Sequence, residues 1–442
     1  MRLSWSDLGL TKADRADGRT VEIAGWPVTA VPQRRGDYFL LTAEPNCCAG
    51  CVPANSRMVV EVFAEGEIDF GTAALRLSGT WRLVTDDPEG WRYQLHDARA
   101  VAGLKRRALF ASPLFCLPTG VLAQTAEGMA VDIHSHAGNL TPVSHGRGGF
   151  SPVAESMRQG GVSAICLAVV SDSPIIKLTG GRLRPDRDPR PGELYEFTQR
   201  SFEKLHVLAR EQGMPIVRTA ADLRAARASQ PSVIVSSEGA DFLNGRIERL
   251  DEAYERWQLR HLQLTHYRPN ELGDIQTEPS VHGGLAEFGA EVIRRCNARG
   301  IVVDVAHGTF ELVKKAAAVS TKPLVLSHTS LSDRKAAWTR RITSDHARVI
   351  ASTKGVIGIW PVSDFFPTIT AFAEGFAKLA EVVGVDHVGL GTDHSGLRGA
   401  TVLPSYADVP KLAAALRLNF TAEETTKILG GNYRRVFEAC IT

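Results

Sequence analysis

The stretch Val131-Asp132-Ile133-His134-Ser135-His136-Ala137-Gly138 decides how the rest of the chain reads. An apolar run ends in two histidines one residue apart, followed by a glycine. In extended backbone, residues i and i+2 project to the same side. His134 and His136 therefore offer two imidazoles to one point where a strand runs out, and imidazole is the commonest neutral metal ligand. Alone the pair is a weak sign, since two nearby histidines also occur on exposed loops. Its weight comes from what closes the later apolar runs.

From residue 130 onward, short apolar runs alternate with longer amphipathic stretches, the rhythm of βα units feeding a parallel sheet. The runs are 130–134, 164–170, 233–236, 262–265, 301–305, 324–327, 356–360 and 388–391, with helical patterns such as 285–299 and 310–319 between them. Eight strands, each followed by a helix, are what a (β/α)8 barrel requires. A further short run, 215–217, falls outside that count and reads as a helix-to-strand connection. Residues 172–193, rich in Pro, Arg, Asp and Gly, read as a long loop after the second strand, of the length that lids take.

Polar residues end most of these runs. His134 and His136 close the first, Glu238 the third, His266 the fourth, His307 the fifth, His328 the sixth and Asp393 the eighth. Barrel enzymes build their sites at the C-terminal strand ends, so these residues are expected in one mouth. Any one of them has an ordinary alternative: a satisfied structural histidine, or a carboxylate capping a helix or turn. Recurrence at six of eight strand ends favours a metal site. Four histidines with two carboxylates suit two divalent ions of the zinc class better than magnesium or calcium, which prefer oxygen.

The segments that carry these residues resemble, in order, the membrane (renal) dipeptidase family, the M19 metallopeptidases among amidohydrolase-like barrels. The resemblance covers about 130–442. Ser237-Glu238-Gly239 is similar to the family's bridging-glutamate motif, and Leu264-Thr265-His266 with Asn270 and Gly273-Asp274 to its substrate-contacting histidine segment. Val303-Asp304-Val305-Ala306-His307 and Val325-Leu326-Ser327-His328-Thr329-Ser330 resemble the two histidine strands of its second metal. Arg340-Arg341 falls where the family keeps an arginine for the substrate carboxylate. Gly391-Thr392-Asp393-His394-Ser395-Gly396 resembles the segment of its acid/base aspartate, and Gly430-Gly431-Asn432-Tyr433-Arg434-Arg435-Val436-Phe437 its C-terminal helix. One departure stands out: the family's first strand carries His-x-Asp, and this chain has His134-Ser135-His136. An imidazole in place of a carboxylate makes the first site one unit less negative.

The resemblance implies a zinc-dependent dipeptidase holding two Zn2+ ions. His134 and His136 would serve one ion and His307 and His328 the other, with Glu238 between them and Asp393 beside them. The nucleophile would be a hydroxide bridging the metals, with Asp393 as acid/base and His266 as the oxyanion donor. Arg341 would grip the carboxylate of a dipeptide, including one of the L-Xaa-D-Xaa type. Two other readings stay open: an amidohydrolase for N-acyl amino acids or lactones, and a binding protein built on a relict barrel.

Residues 1–104 lie outside the resemblance. Five short β-branched or aromatic runs, near 21–26, 38–41, 58–63, 75–81 and 93–95, suit a small all-β domain of OB type. Without a basic, aromatic stripe, its expected role is structural or oligomerising, as in a homodimer. The net charge of +2 over 442 residues gives no support to nucleic-acid or anionic-membrane partners. Seven scattered cysteines in a long chain argue for reduced thiols, and Cys47-Cys48-Ala49-Gly50-Cys51 lacks the second pair a zinc site needs. The expected compartment is the cytoplasm. Residues 105–129 read as an interdomain linker; within them Lys105-Arg106-Arg107 and the apolar residues that follow resemble an export signal, which keeps a periplasmic or exported location as the alternative. Two prolines and under about 18 apolar residues make that stretch a poor membrane span.

Overall fold

The structure, a computed structural model, describes residues 1–8, 11–28, 35–43, 59–70, 74–84, 92–101, 130–138, 151–332, 339–397 and 399–441. The expected linker at 105–129 and the cysteine group at 47–51 lie outside the described residues. The chain divides into two compact units: Met1–Glu127 with Phe365–Glu374 and Ala414–Asn419, and the remainder from Gly128.

In the first unit the expected runs form β1 (Thr20–Val28), β2 (Arg35–Thr42), β3 (Val59–Asp69), β4 (Leu75–Leu83) and β5 (Tyr93–Ala100). They close into a five-stranded barrel of order β1-β2-β3-β5-β4, with β3 and β5 parallel and β1 and β4 antiparallel. Alternation drives the closure. Val21, Ile23, Phe39, Leu41, Val60, Val62, Leu77, Trp81, Tyr93 and Leu95 point inward and are buried. This is the OB-like domain expected from the sequence.

The second unit is the expected (β/α)8 barrel. Its parallel strands are β6 (Ala130–Ser135), β7 (Val162–Val170), β10 (Ser232–Glu238), β11 (Leu259–Gln263), β12 (Val302–Asp304), β13 (Leu324–Thr329), β14 (Val356–Ile359) and β15 (Val388–Leu390), neighbours in that order. Every residue of these strands is buried, because helices cover the outer face and side chains fill the interior. The helices take their ends from the sequence. Thr309 caps helix Phe310–Val319 by accepting from the Leu312 N–H, and Gly300, at φ 75°, stops helix Glu287–Arg299.

Two details depart from the expectation. Residues 172–193 are not an open loop: after a 3-10 turn at Ser173–Ile175 they form the hairpin β8 (Ile176–Thr179) and β9 (Arg182–Pro185). Gly180 and Gly181, both at positive φ, make its two-residue turn. Arg184 grips Glu278 through two hydrogen bonds of 2.8 Å, and Arg182 donates to the Thr277 carbonyl, so the hairpin is fastened to the stretch after β11. Residues 215–217 do pair: Ile216 bridges Val233 in parallel.

The seam between β15 and β6 is made beyond the end of β15. Asp393 donates its N–H to the His134 carbonyl (2.9 Å), and His136 donates to the His394 carbonyl (2.8 Å). Beneath them the buried Asp132 carboxylate receives the Thr392 N–H (2.8 Å), the Thr392 hydroxyl (2.6 Å) and the Tyr406 hydroxyl (2.7 Å). Burial pushes the Asp132 carboxyl up despite these donors.

Candidate metal centre

The strand ends bring together every predicted ligand. Glu238, the last residue of β10, is the hub. Its Oε2 lies 3.1 Å from His136 Nε2 and 3.2 Å from His266 Nε2; its Oε1 lies 3.1 Å from His307 Nε2 and 3.5 Å from both His134 Nε2 and His328 Nε2. The Nε2 atoms of His134 and His136 are 3.1 Å apart, as are those of His307 and His328. Asp393 Oδ1 stands 3.5 Å from His136 Nε2. All are buried.

The far ring nitrogens decide which atoms face inward. His136 Nδ1 is 3.0 Å from the Ala168 carbonyl and therefore donates to it, which leaves Nε2 a lone pair. His328 Nδ1 is held by the Ser327 hydroxyl at 2.9 Å. Two of these residues sit in the left-handed region that side chains seldom adopt, His307 at φ 68° and Asp393 at φ 50°. Such backbone costs on the order of 1–3 kcal/mol and collects at functional positions. Nearby strands close tightly: a Cβ on Gly358 or Gly391 would stand 1.8 Å from the Ser327 carbonyl oxygen, so only glycine fits.

The charges favour a cation. Burial drives the Glu238 carboxyl up, but the surrounding imidazoles outweigh it and hold the group well below the carboxylate range, as an anion. Burial, reinforced by Arg340, pushes His307 well below its usual value, so it is a neutral ring with a free lone pair. Burial, followed by His134 and Arg340, does the same for His328. Burial raises Asp393 to about 6. Three sets of donors have ligand atoms within 4.8 Å of one another: His134/His136/Asp393, His134/Glu238/His328 and Glu238/His266/His307. Against burial, the carboxylates of Asp172 and Glu238 raise His266 to about 9, and Glu238 and Asp393 raise His134. The neutral rings of His307 and His328 beside the shared carboxylate are the donors that fit a zinc-class ion as they stand. The third set includes His266, which the sequence suggested as an oxyanion donor and substrate contact but not as a metal ligand.

Arginine is where expectation and structure part. Arg340, not Arg341, reaches the centre: its Nη2 lies 3.0 Å from His328 Nε2, its Nη1 donates to Gln276 Oε1 (2.9 Å), and its guanidinium lies over the Trp360 ring. Arg341 contributes backbone groups to the adjoining turn, accepting from Gln276 Nε2 and donating to Thr339 Oγ1. The Thr329 hydroxyl donates to the Arg340 carbonyl.

Sequence reading also missed Asp172 and Tyr267. Asp172 accepts from His266 Nδ1 at 2.7 Å. It lies two residues past the end of β7, so the strand-end rule covers it. Tyr267 stands edge-on to His307, ring centres 4.9 Å apart, and its phenol, which burial raises to about 12, hydrogen-bonds Arg340.

Fold and centre together define a metal-dependent barrel of the hydrolase type, with a histidine–carboxylate cluster in the mouth. The sequence profile of the membrane dipeptidase family (peptidase family M19) matches residues 153–441, and the chain belongs to that family. The match begins after the strand bearing His134 and His136. The chain is 24% identical over 270 residues to the dipeptidase aclJ of Aspergillus oryzae, covering 57% of this chain and 63% of that one. It is 27% identical over 229 residues to the dipeptidase tcpJ of Claviceps purpurea, covering 48% and 52%. The matched region thus spans between about half and two thirds of these relatives' length. Among solved structures, the M19 metallopeptidase dipeptidase AC aligns with TM-score 0.61 at 22% identity, over 71% of this chain and 98% of its own. A metallopeptidase from Rhodobacter sphaeroides, solved with a phosphinate mimic of L-Ala-D-Ala, aligns with TM-score 0.60 at 21% identity, over 71% and 99%. At these identities the likeness is one of fold.

Proposed function

We propose that the protein is a zinc-dependent dipeptidase with two ions in the centre. The observation that carries this reading is Glu238, which stands at the centre of five imidazoles, Oε2 facing His136 and His266 and Oε1 facing His134, His307 and His328, beside the buried guanidinium of Arg340. His134 and His136, with Asp393, would hold one ion, His307 and His328 the other, and Glu238 both. Bound there, the ions supply Lewis-acid polarisation of the scissile carbonyl and an acidified water at neutral pH.

The remaining work falls to the chain. Arg340, with Gln276 and Tyr267 steadying it, receives the C-terminal carboxylate of a short substrate in its fork. His266, held through Nδ1 by Asp172, presents Nε2 toward Glu238 and donates to the oxygen that gains charge as the carbonyl is attacked. Asp393 takes the proton of the attacking water and delivers it to the departing nitrogen as the C–N bond breaks. Burial holds its carboxyl near 6, within reach of both protonation states at neutral pH. An L-Xaa-D-Xaa substrate is part of this reading, in line with the ligand of the Rhodobacter sphaeroides structure.

The test is metal content and turnover measured together, on protein as purified, stripped and zinc-reloaded, against L-L and L-D dipeptides and N-acyl amino acids. Two metals per chain with zinc-dependent release of free amino acids from dipeptides is the expected result. Two metals with dipeptides untouched and N-acyl amino acids cleaved would replace the dipeptidase reading with that of another amidohydrolase.

A further inference from the structure

Behind the ligand histidines runs a chain of buried polar groups that the proposed chemistry does not use. Tyr433, in helix Asn432–Cys440, packs among residues early in the barrel strands: Val131, Ala164, Ile234, Val302, Val325 and Val356. A π-helical turn at Lys427–Gly431 immediately precedes that helix, an irregularity that recurs at functional positions. The Tyr433 hydroxyl lies 3.1 Å from Cys166 Sγ and 2.9 Å from His261 Nδ1. His261 Nε2 lies 3.2 Å from Asp304 Oδ2. Asp304 Oδ1 receives the N–H groups of Ala306 (2.9 Å) and Ser327 (3.1 Å).

The direction of these bonds follows from what each group can do. A carboxylate only accepts, so His261 carries its proton on Nε2. The Cys166 thiol donates to the Tyr433 oxygen, so the Tyr433 hydroxyl turns its own proton to His261 Nδ1, which accepts it. Burial raises both Cys166 and Tyr433 well above their usual values, which keeps both protons in place. The far end of the chain is the metal centre. Ala306 leads into His307, whose left-handed backbone needs holding, and the Ser327 hydroxyl contacts His328 Nδ1 at 2.9 Å.

We infer that Tyr433, acting through His261 and Asp304, is a positioning residue for His307 and His328 and so sets the affinity of the ion they hold. This rests on the reading of those histidines as metal ligands. Groups that orient a ligand typically change metal affinity by about 10- to 100-fold when removed. Tyr433 acts at one remove, so Tyr433→Phe, which keeps the ring and deletes the hydroxyl, should weaken one of two zinc ions about tenfold and leave the other within about twofold.

The experiment is stepwise zinc binding by the full chain in competition with a chromophoric chelator, alongside thermal unfolding of the stripped protein. One weakened ion beside one unchanged ion is the expected result, whatever stripped stability is lost with the buried hydrogen bonds. Two unchanged affinities would overturn the inference, and so would a parallel loss of both ions with a fall in stripped stability, which marks a merely structural residue. Should Tyr433→Phe not fold, Cys166→Ala is read instead: it removes only the donor to Tyr433, and a loss of about threefold in the same ion is expected. No change there would overturn the proposal. Wild-type protein that binds no zinc would instead sink the metal-centre reading itself.

Discussion

Asp172 Oδ1 lies 2.7 Å from His266 Nδ1, while its second oxygen accepts the Tyr267 N–H at 3.0 Å. The carboxylate thus grips the imidazole by its far nitrogen and aims Nε2 at Glu238. In Asp172→Asn one of these contacts becomes a meeting of two donors. We expect kcat on a dipeptide to fall about 10- to 100-fold with KM little changed, since the loss is felt where charge develops. Steady-state kinetics check this; an unchanged kcat would free His266 from dependence on Asp172.

The two adjacent arginines make separable predictions. Arg340→Ala should raise KM for dipeptides about 30-fold or more, the size of a buried charge-assisted interaction of roughly 2 kcal/mol. Arg340→Lys should recover little, because an ammonium cannot reproduce the fork that reaches Gln276 and His328. Arg341→Ala should change KM by less than about twofold. Comparing free dipeptides with their C-terminal amides shows whether the affected group is the carboxylate.

Stripping the metals should lower the thermal transition of the barrel. A ligand at 100 times its Kd contributes about 2.7 kcal/mol, or roughly 4 °C for a domain of this size. Zinc should restore it. In Glu238→Gln the restoring effect should shrink, because the shared anion is gone. A melting curve indifferent to chelator in the wild type would contradict the centre.

His346, in helix Ser344–Ser352, is buried against Phe310, and burial lowers its imidazole to about 4 from the usual 6.5. The folded ring stays neutral where the unfolded one takes up a proton. Stability should therefore fall as pH drops below about 6.5 and level off near 4. His346→Gln should remove up to about 3 kcal/mol of that acid loss. Urea denaturation at pH 7.5, 5.5 and 4.5 reads it: a difference between the proteins that does not shrink on acidification would refute the assignment.

Much of this was legible before any coordinates. A parallel strand buried on both faces must be a continuous apolar run, and it can turn polar only where it reaches the mouth. Glu238, His307, His328 and Asp393 stand out for that reason. Asp172 obeys the same rule but begins a stretch whose prolines, arginines and glycines look like open loop, which hid both it and the hairpin. The choice between Arg340 and Arg341 is a matter of tertiary hydrogen bonds from Thr329 and Gln276 to their backbone carbonyls. The link from Cys166 to Tyr433 spans 267 residues, and no local pattern announces such a meeting.

The seam of the barrel carries one more consequence. Its first and last strands are joined through the backbone of His134, His136, Asp393 and His394, the segments that carry the candidate ligands of a first ion. The clasp of the sheet and the first ligand set are therefore one object, put together from parts some 260 residues apart in the chain. Without the residues from 392 onward, half of this junction is missing. On the proposed reading, an ion held by His134, His136 and Asp393 together requires this seam to be in place, so its uptake would report on closure of the sheet.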